Sequence, residues 1–83
     1  MLRREIGVDQ RGRPVRYSLA YINHLIYAGD NGRVVGYDSA HGRHHRHCRG
    51  MVSAVGFKSV EQIEARFQRE WNRLATEVRR AQD

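Results

Sequence analysis

Apolar positions recur with helical spacing over the last quarter of the chain. The stripe advances by steps of three and four residues, the period of one helix face, and consists of Val60, Ile63, Phe67, Trp71, Leu74 and Val78. Ser59 stands just before the stripe and Gln62 follows three residues later, the spacing of a capping box at a helix start. The pattern predicts a helix from Val60 to about Arg79, with Phe67 and Trp71 in the core.

The residues before position 58 show the spacing of strands instead. Alternation with the period of a half-buried strand is clearest at Val15, Tyr17, Leu19 and Tyr21. A strand is also predicted before it, around residues 3–8, and a final one over residues 51–57, which brings Phe57 into the core. The pair Asn31-Gly32 accepts the positive φ angles of a two-residue turn, so it predicts a tight hairpin between residues 25–27 and 34–37.

These elements predict an α+β fold, an antiparallel sheet of four to five strands (about 3–57) with one C-terminal helix (about 60–79) packed across one face. A chain of 83 residues has room for a single domain, residues 1–83, which excludes a multidomain enzyme. The lone Cys48 excludes an intrachain disulfide, and no run approaches the ~18 apolar residues of a membrane span. We expect a soluble, cytoplasmic protein that contacts no membrane.

Positive charge is concentrated in the first part of the chain. Residues 1–58 hold ten Lys and Arg against four Asp and Glu, whereas residues 59–83 hold five of each kind. This imbalance predicts a polyanionic or acidic partner for the first two thirds of the chain.

Four of the five histidines fall within residues 41–47. In a strand, His45 and His47 would share one face, and His44 the other. One imidazole could remove the proton of a ribose 2′-hydroxyl while another protonates the leaving 5′-oxygen, and guanidinium groups would stabilise the phosphate. The candidate acids and bases are His41, His44, His45 and His47, with Asp38 orienting an imidazole. The candidate phosphate ligands are Arg33, Arg43, Arg46 and Arg49. This chemistry, an endoribonuclease reaction, requires no metal and no other cofactor.

Two other interpretations of the histidine cluster stay open. His45 and His47, with His41 or Asp38, could hold Zn or Mn, although the spacing fits no standard structural zinc motif. The segment could also bind an acidic partner or a nucleic acid without chemistry. Because imidazole and guanidinium groups bring little apolar area, we expect the segment to be a functional site and not a fold element.

The run from Asp30 to His47 resembles the TumE-type toxin family. The matching letters are Asp-Asn-Gly-Arg at 30–33, Gly-Tyr-Asp at 36–38, Ala-His-Gly at 40–42 and His-His-Arg-His at 44–47. Ser39 stands where the family usually has Asn. The resemblance covers about residues 15–75 and implies the toxin of a two-gene toxin–antitoxin module. The partner that the resemblance implies is a cognate antitoxin, and the histidine chemistry adds RNA. We expect a homo-oligomer or a toxin–antitoxin hetero-oligomer.

Overall fold

The computed structural model describes residues 1–40 and 42–82, with side chains up to residue 77. Its elements are the strands β1 (Leu2–Val8), β2 (Pro14–Ile22), β3 (Arg33–Ala40), β4 (Arg43–Cys48) and β5 (Met51–Ala54), followed by the helix α1 (Val60–Gln82). The strands pair antiparallel in chain order, so the sheet is a meander. The predicted α+β fold, an antiparallel sheet with one C-terminal helix packed on it, is confirmed.

Helix α1 divides the sheet into two different faces. It packs over β2 and β3, and the side chains beneath it are buried, chiefly Tyr17, Leu19, Tyr21, Val35 and Tyr37. We call this the covered face. The alternate positions of the same strands form the open face, which carries Ser18, Gly36, Asp38, His45 and His47. Polar side chains of β3 and β4 therefore remain accessible on the open face.

The helix begins where the sequence predicts. Ser59 Oγ accepts the backbone N–H of Gln62 at 3.1 Å, which is the N-cap bond. Phe67 is buried, but Trp71 is only partly buried beside Tyr21, with ring centroids 6.1 Å apart. Val78, the last predicted member of the stripe, lies outside the described side chains. No helix of the described chain combines the length and the apolar character needed to cross a bilayer.

The predicted hairpin around Asn31-Gly32 is wrong. Both residues have positive φ (54° and 81°), but they belong to a 3-10 turn over Asp30–Gly32 that leads into β3. Residues 25–27 form no strand, because Asn23 bends the chain: its side chain accepts the N–H of Leu25 at 3.0 Å and its carbonyl accepts two further N–H groups. β2 therefore pairs with β3 across a longer connection.

Phe57 does not enter the core as predicted. Its side chain is 41% exposed, because β5 ends at Ala54 and the chain then leaves the sheet toward the helix. The ring packs at the margin of the covered face, where it contacts a histidine of β4.

Candidate functional site

The histidine-rich segment is the fourth strand of the sheet. β4 pairs with β3 over six positions, from Val35–Cys48 to Ala40–Arg43, and with β5 on its other side. The expectation that this segment is not a fold element is therefore wrong, since its backbone joins β5 to the rest of the sheet. The predicted alternation is confirmed, and it divides the cluster of histidines between the two faces.

Asp38, His45 and His47 meet on the open face. Asp38 lies opposite His45 in the β3–β4 register, and His47 is two residues further along β4. Asp38 Oδ2 lies 2.8 Å from His47 Nε2, and Asp38 Oδ1 lies 3.7 Å from His45 Nδ1. One partly buried carboxylate thus stands between two imidazoles.

Both ring nitrogens of His47 have a close polar neighbour. Arg33 Nη2 lies 3.0 Å from His47 Nδ1, and a guanidinium group can only donate. Nδ1 therefore accepts from Arg33, and Nε2 lies within ion-pair distance of Asp38. His47 is therefore held between Arg33 and Asp38, next to the carboxylate that faces His45.

His45 keeps one nitrogen available. Its Nδ1 faces Asp38 at a distance longer than a hydrogen bond, and no described residue bonds its Nε2. The side chain is 30% exposed, so a molecule on the open face has access to the ring. His45 is therefore the histidine of this face that can exchange a proton with a ligand.

Arg33 is fixed by carboxylates rather than presented to solvent. Its Nε donates to Asp30 Oδ2 at 2.8 Å, and its Nη1 lies 3.5 Å from Asp38 Oδ2. Its stem crosses Gly36, where a Cβ would lie 2.9 Å from Arg33 Cδ. Gly36 therefore provides the space through which Arg33 reaches His47. Arg33, predicted as a phosphate ligand, is instead bonded within the protein, where it positions its neighbours.

Other arginines lie around the cluster, and none of them forms an ion pair with a described residue. Arg43 precedes His45 by two residues on β4, and Arg16 precedes Ser18 by two residues on β2, so alternation puts both on the open face. Arg16 lies across Gly7, where a Cβ would come 2.9 Å from its Nε. Arg49 is exposed at the β4–β5 turn. Arg16 is not among the phosphate ligands predicted from the sequence. Its alternation with the apolar Tyr17 already indicated that it lies on the polar face of the strand.

His44 and Arg46 are held on the covered face. The His44 ring stacks on Phe57 with centroids 4.1 Å apart, and its Nδ1 lies 2.9 Å from the Tyr17 hydroxyl. Arg46 Nε donates to Glu70 Oε2 of α1 at 3.0 Å. These two side chains connect β4 with its packing partners, on the opposite side of the sheet from Asp38.

Two titratable groups of the covered side have shifted pKa values. Burial, and after it the negative charge of Asp38, raises the pKa of Tyr17. Burial also raises the pKa of Glu70, and Arg73 lowers it in part. In both cases lost hydration of the charged form is the main cause.

The described residues contain no group of three His, Cys, Asp or Glu side chains arranged to hold a metal ion. Asp38 and His47 bond each other, and Arg33 takes the second nitrogen of His47. A cation bound there would stand beside a guanidinium group, which electrostatic repulsion disfavours. His41, a candidate base and metal ligand, lies outside the described residues.

Comparison with protein-family models, with curated proteins and with solved structures gives no match. The residues of the open face and their geometry are therefore the basis for a function.

Proposed function

We propose that this protein is an endoribonuclease that acts as the toxin of a toxin–antitoxin pair, with its RNA site on the open face. One observation carries the proposal: Asp38 is fixed by His47 and stands opposite His45, whose Nε2 is available. A carboxylate on one side of an imidazole, with the other side open to substrate, is the arrangement of an oriented general base.

RNA carries its own nucleophile, so the protein needs only to move protons and bind charge. His45 Nε2 accepts the proton of the 2′-hydroxyl, the 2′-oxygen attacks phosphorus, and the bond to the 5′-oxygen breaks. The negative charge of Asp38 stabilises the imidazolium formed on His45. Arg16 and Arg43 bind the non-bridging phosphate oxygens. His41 is the candidate acid for the leaving 5′-oxygen.

The test of the base compares two histidines. His45→Ala should abolish both RNA cleavage and growth arrest on induction, while its melting temperature stays within about 2 °C of the parent because the ring forms no hydrogen bond with any described residue. His24→Ala removes an exposed histidine outside the open-face cluster and should leave cleavage unchanged. Cleavage by the parent should persist in EDTA. A His45→Ala protein that cleaves like the parent would refute the proposal.

A binding module without catalysis is the second candidate. Cleavage of this kind uses an acid as well as a base. The described residues of the open face provide only one imidazole with an available nitrogen, and this favours binding without catalysis. The parent would then bind RNA without cutting it. If the parent does cut, His41→Ala should reduce cleavage and spare binding. Activity that is lost in EDTA and restored by Zn or Mn would instead indicate a metal-dependent nuclease.

We further propose a cytoplasmic protein that is neutralised by an antitoxin. The single thiol at Cys48 and the formal net charge of +6 support a reducing compartment and an acidic or nucleic-acid partner. Co-expression with the neighbouring open reading frame should restore growth. Size-exclusion chromatography of the purified proteins then distinguishes a homo-oligomer from a hetero-oligomer.

A further inference from the structure

A second group of arginines lies away from the open face, in a groove between α1 and β4. The groove is lined by Arg46, Arg66, Arg69, Glu70 and Arg73, and we call it the arginine groove. Arg46 comes from the covered face of β4. The other arginines come from α1 at intervals of three and four residues, which places them on one side of the helix. Four guanidinium groups and one carboxylate leave the groove strongly positive.

Two of these guanidinium groups lie against one partly buried carboxylate. Glu70 is 12% exposed and accepts hydrogen bonds from Arg46 and from the Tyr37 hydroxyl. Arg66 Nε lies 3.6 Å from Glu70, and its guanidinium carbon lies 5.5 Å from the centroid of the Tyr37 ring. The groove is thus partly preorganised before any ligand binds, which reduces the entropy lost on binding.

The other two arginines keep their hydrogen-bonding capacity. Arg69 and Arg73 are exposed and form no ion pair with a carboxylate of the described chain. Each guanidinium group presents a fork of N–H donors that matches two oxygens of one anion. The groove therefore combines fixed positive charge with donors that are free to bind.

The lining of the groove distinguishes between two kinds of anionic partner. All of its lining residues are charged. Protein interfaces are depleted of charge at their centre and are anchored by apolar or aromatic side chains, which this lining does not supply. Interfaces with nucleic acids are polar and much more positive. The chemistry favours phosphate over an acidic peptide.

We propose that the arginine groove is a phosphate-binding site, for a phosphodiester of an RNA strand or for a free polyphosphate. For RNA the inference deepens the proposed function and rests on it. β4 contributes to both sites, because Arg46 stands between His45 and His47 in sequence and projects from the other face. An RNA strand that passes the β4–β5 side of the sheet contacts the groove and the open face together.

The test measures binding to His45→Ala protein, which separates binding from turnover. Arg69→Ala/Arg73→Ala is introduced on this background and leaves the bonds of Glu70 with Arg46 and Tyr37 in place. The matched control, Arg11→Ala/Lys58→Ala, removes the same charge at exposed positions outside the groove. Affinity for a single-stranded oligouridine is measured over a range of salt concentrations, and pyrophosphate and a polyglutamate peptide are titrated into the same proteins.

The groove variant should bind the oligouridine about tenfold more weakly at physiological salt. The slope of log affinity against log salt should become shallower by about 1.4, because each contact to a single strand releases roughly 0.7 counterion. The control should keep the slope. Loss of pyrophosphate binding at unchanged RNA affinity would also support a phosphate site and would assign it to a free polyphosphate.

The opposite results separate this inference from the proposed function. RNA and pyrophosphate affinities that fall no further in the groove variant than in the control would overturn the phosphate site. The phosphate site would also be overturned if the groove substitutions weakened binding of polyglutamate but not of RNA or pyrophosphate. Cleavage is measured separately on the protein with His45 intact. If that protein cleaves RNA but the groove substitutions do not change phosphate binding, this inference alone is refuted. If the groove binds phosphate but the protein does not cleave RNA, the endoribonuclease proposal alone is refuted.

Discussion

His45 and His47 stand two residues apart on one strand, yet their rings are bonded differently. His47 bonds Arg33 through one nitrogen and lies 2.8 Å from Asp38 through the other, whereas His45 forms no hydrogen bond with a described residue and its side chain is 30% exposed. His44, which directly precedes His45, is stacked on Phe57 on the covered face. Three neighbouring residues of one type therefore have three roles: to position a carboxylate, to exchange a proton, and to pack.

A methyl group at Gly36 should disturb the site without altering His45. It would lie 2.7 Å from the Leu19 carbonyl oxygen and 2.9 Å from Arg33 Cδ, so Arg33 must move away from His47. We expect Gly36→Ala to lower the free energy of unfolding by about 1–3 kcal/mol and to reduce RNA cleavage. Gly56→Ala is the control, because a Cβ there meets nothing within 4 Å. Urea unfolding and cleavage assays that find the two variants alike would contradict the packing of Arg33 over Gly36.

Tyr17 should ionise later than an ordinary tyrosine. Burial, and then the charge of Asp38, raises its pKa above the model-compound value of 10.0. A group whose pKa is raised by folding contributes stability that is complete below its unfolded pKa and is lost as the pH rises through its folded pKa. Stability should therefore fall above pH 10 in the parent and fall less in Tyr17→Phe. Thermal melts of both proteins over this range provide the measurement, and parallel losses would contradict the shift.

Strand β4 is connected to the rest of the fold at both edges and has a different role on each face. It pairs with β3 and β5, contributes His45 and His47 to the open face, and is tied to α1 through the bonds of Arg46 with Glu70. Substitutions in this strand should therefore differ by face: those of the open face affect chemistry, and those of the covered face affect folding.

The contribution of α1 to the core should be largest at Phe67. Phe67 is 7% exposed and meets the Tyr37 ring edge-on at a centroid distance of 6.4 Å, whereas Trp71 is only partly buried. Phe67→Ala should lower the free energy of unfolding by about 3–5 kcal/mol, and Trp71→Ala by about 2 kcal/mol, since less of its area leaves water on folding. Urea denaturation gives both values, and Gln68→Ala, an exposed site, is the control. A larger loss of unfolding free energy for Trp71→Ala than for Phe67→Ala would show that Trp71, and not Phe67, lies at the centre of the buried helix face.

The β4–β5 turn holds an arginine in an unfavourable backbone conformation. Arg49 and Gly50 both have positive φ (48° and 81°) between the paired Cys48 and Met51, a two-residue turn in which Asn-Gly is preferred. Arg49→Asn should raise the free energy of unfolding by about 1 kcal/mol. If Arg49 also binds phosphate, the same variant should bind RNA less tightly. A variant that is less stable than the parent would show that the Arg49 side chain contributes to folding.

The elements that the sequence predicts well are those in which a periodic pattern of apolar residues extends over many positions. The helix from Val60 and the alternation around Tyr17 and Leu19 bury enough apolar area to determine their own faces. The failures are local: Asn23 diverts the chain at residues 25–27 through side-chain hydrogen bonds, and Phe57 lies beyond the end of β5. Such positions depend on a few hydrogen bonds and on where a strand ends, which periodicity does not contain.

The candidate site was predictable in composition but only partly in arrangement. Alternation was sufficient to separate His44 from His45, as the strand shows. The different states of His45 and His47 depend on Arg33, which enters from the start of β3 and crosses Gly36. A contact between side chains 14 positions apart is a tertiary feature, so the pattern along β4 alone could not reveal which imidazole is free.

Over the whole molecule, unpaired positive charge stands on two sides of the sheet. Arg16 and Arg43 flank His45 on the open face, and Arg69 and Arg73 lie in the arginine groove next to α1. Since β4 contributes Arg43 to the open face and Arg46 to the arginine groove, a single RNA strand that bends around the β4–β5 side would contact both groups. Two independent RNA sites would have the same charges, but each would bind its own RNA strand with a separate affinity.

Salt dependence distinguishes one continuous RNA path from two separate sites. Four phosphate contacts on one strand predict a slope of about −2.8 for log affinity against log salt, from roughly 0.7 counterion per contact. On the His45→Ala background, Arg16→Ala/Arg43→Ala and Arg69→Ala/Arg73→Ala should each make the slope shallower by about 1.4, and the quadruple variant should lose nearly all salt dependence, because distant sites on one ligand add. The stoichiometry should be one oligouridine per protein. A second oligouridine bound per protein, or a quadruple variant no weaker than either double variant, would show that the two faces do not share one strand.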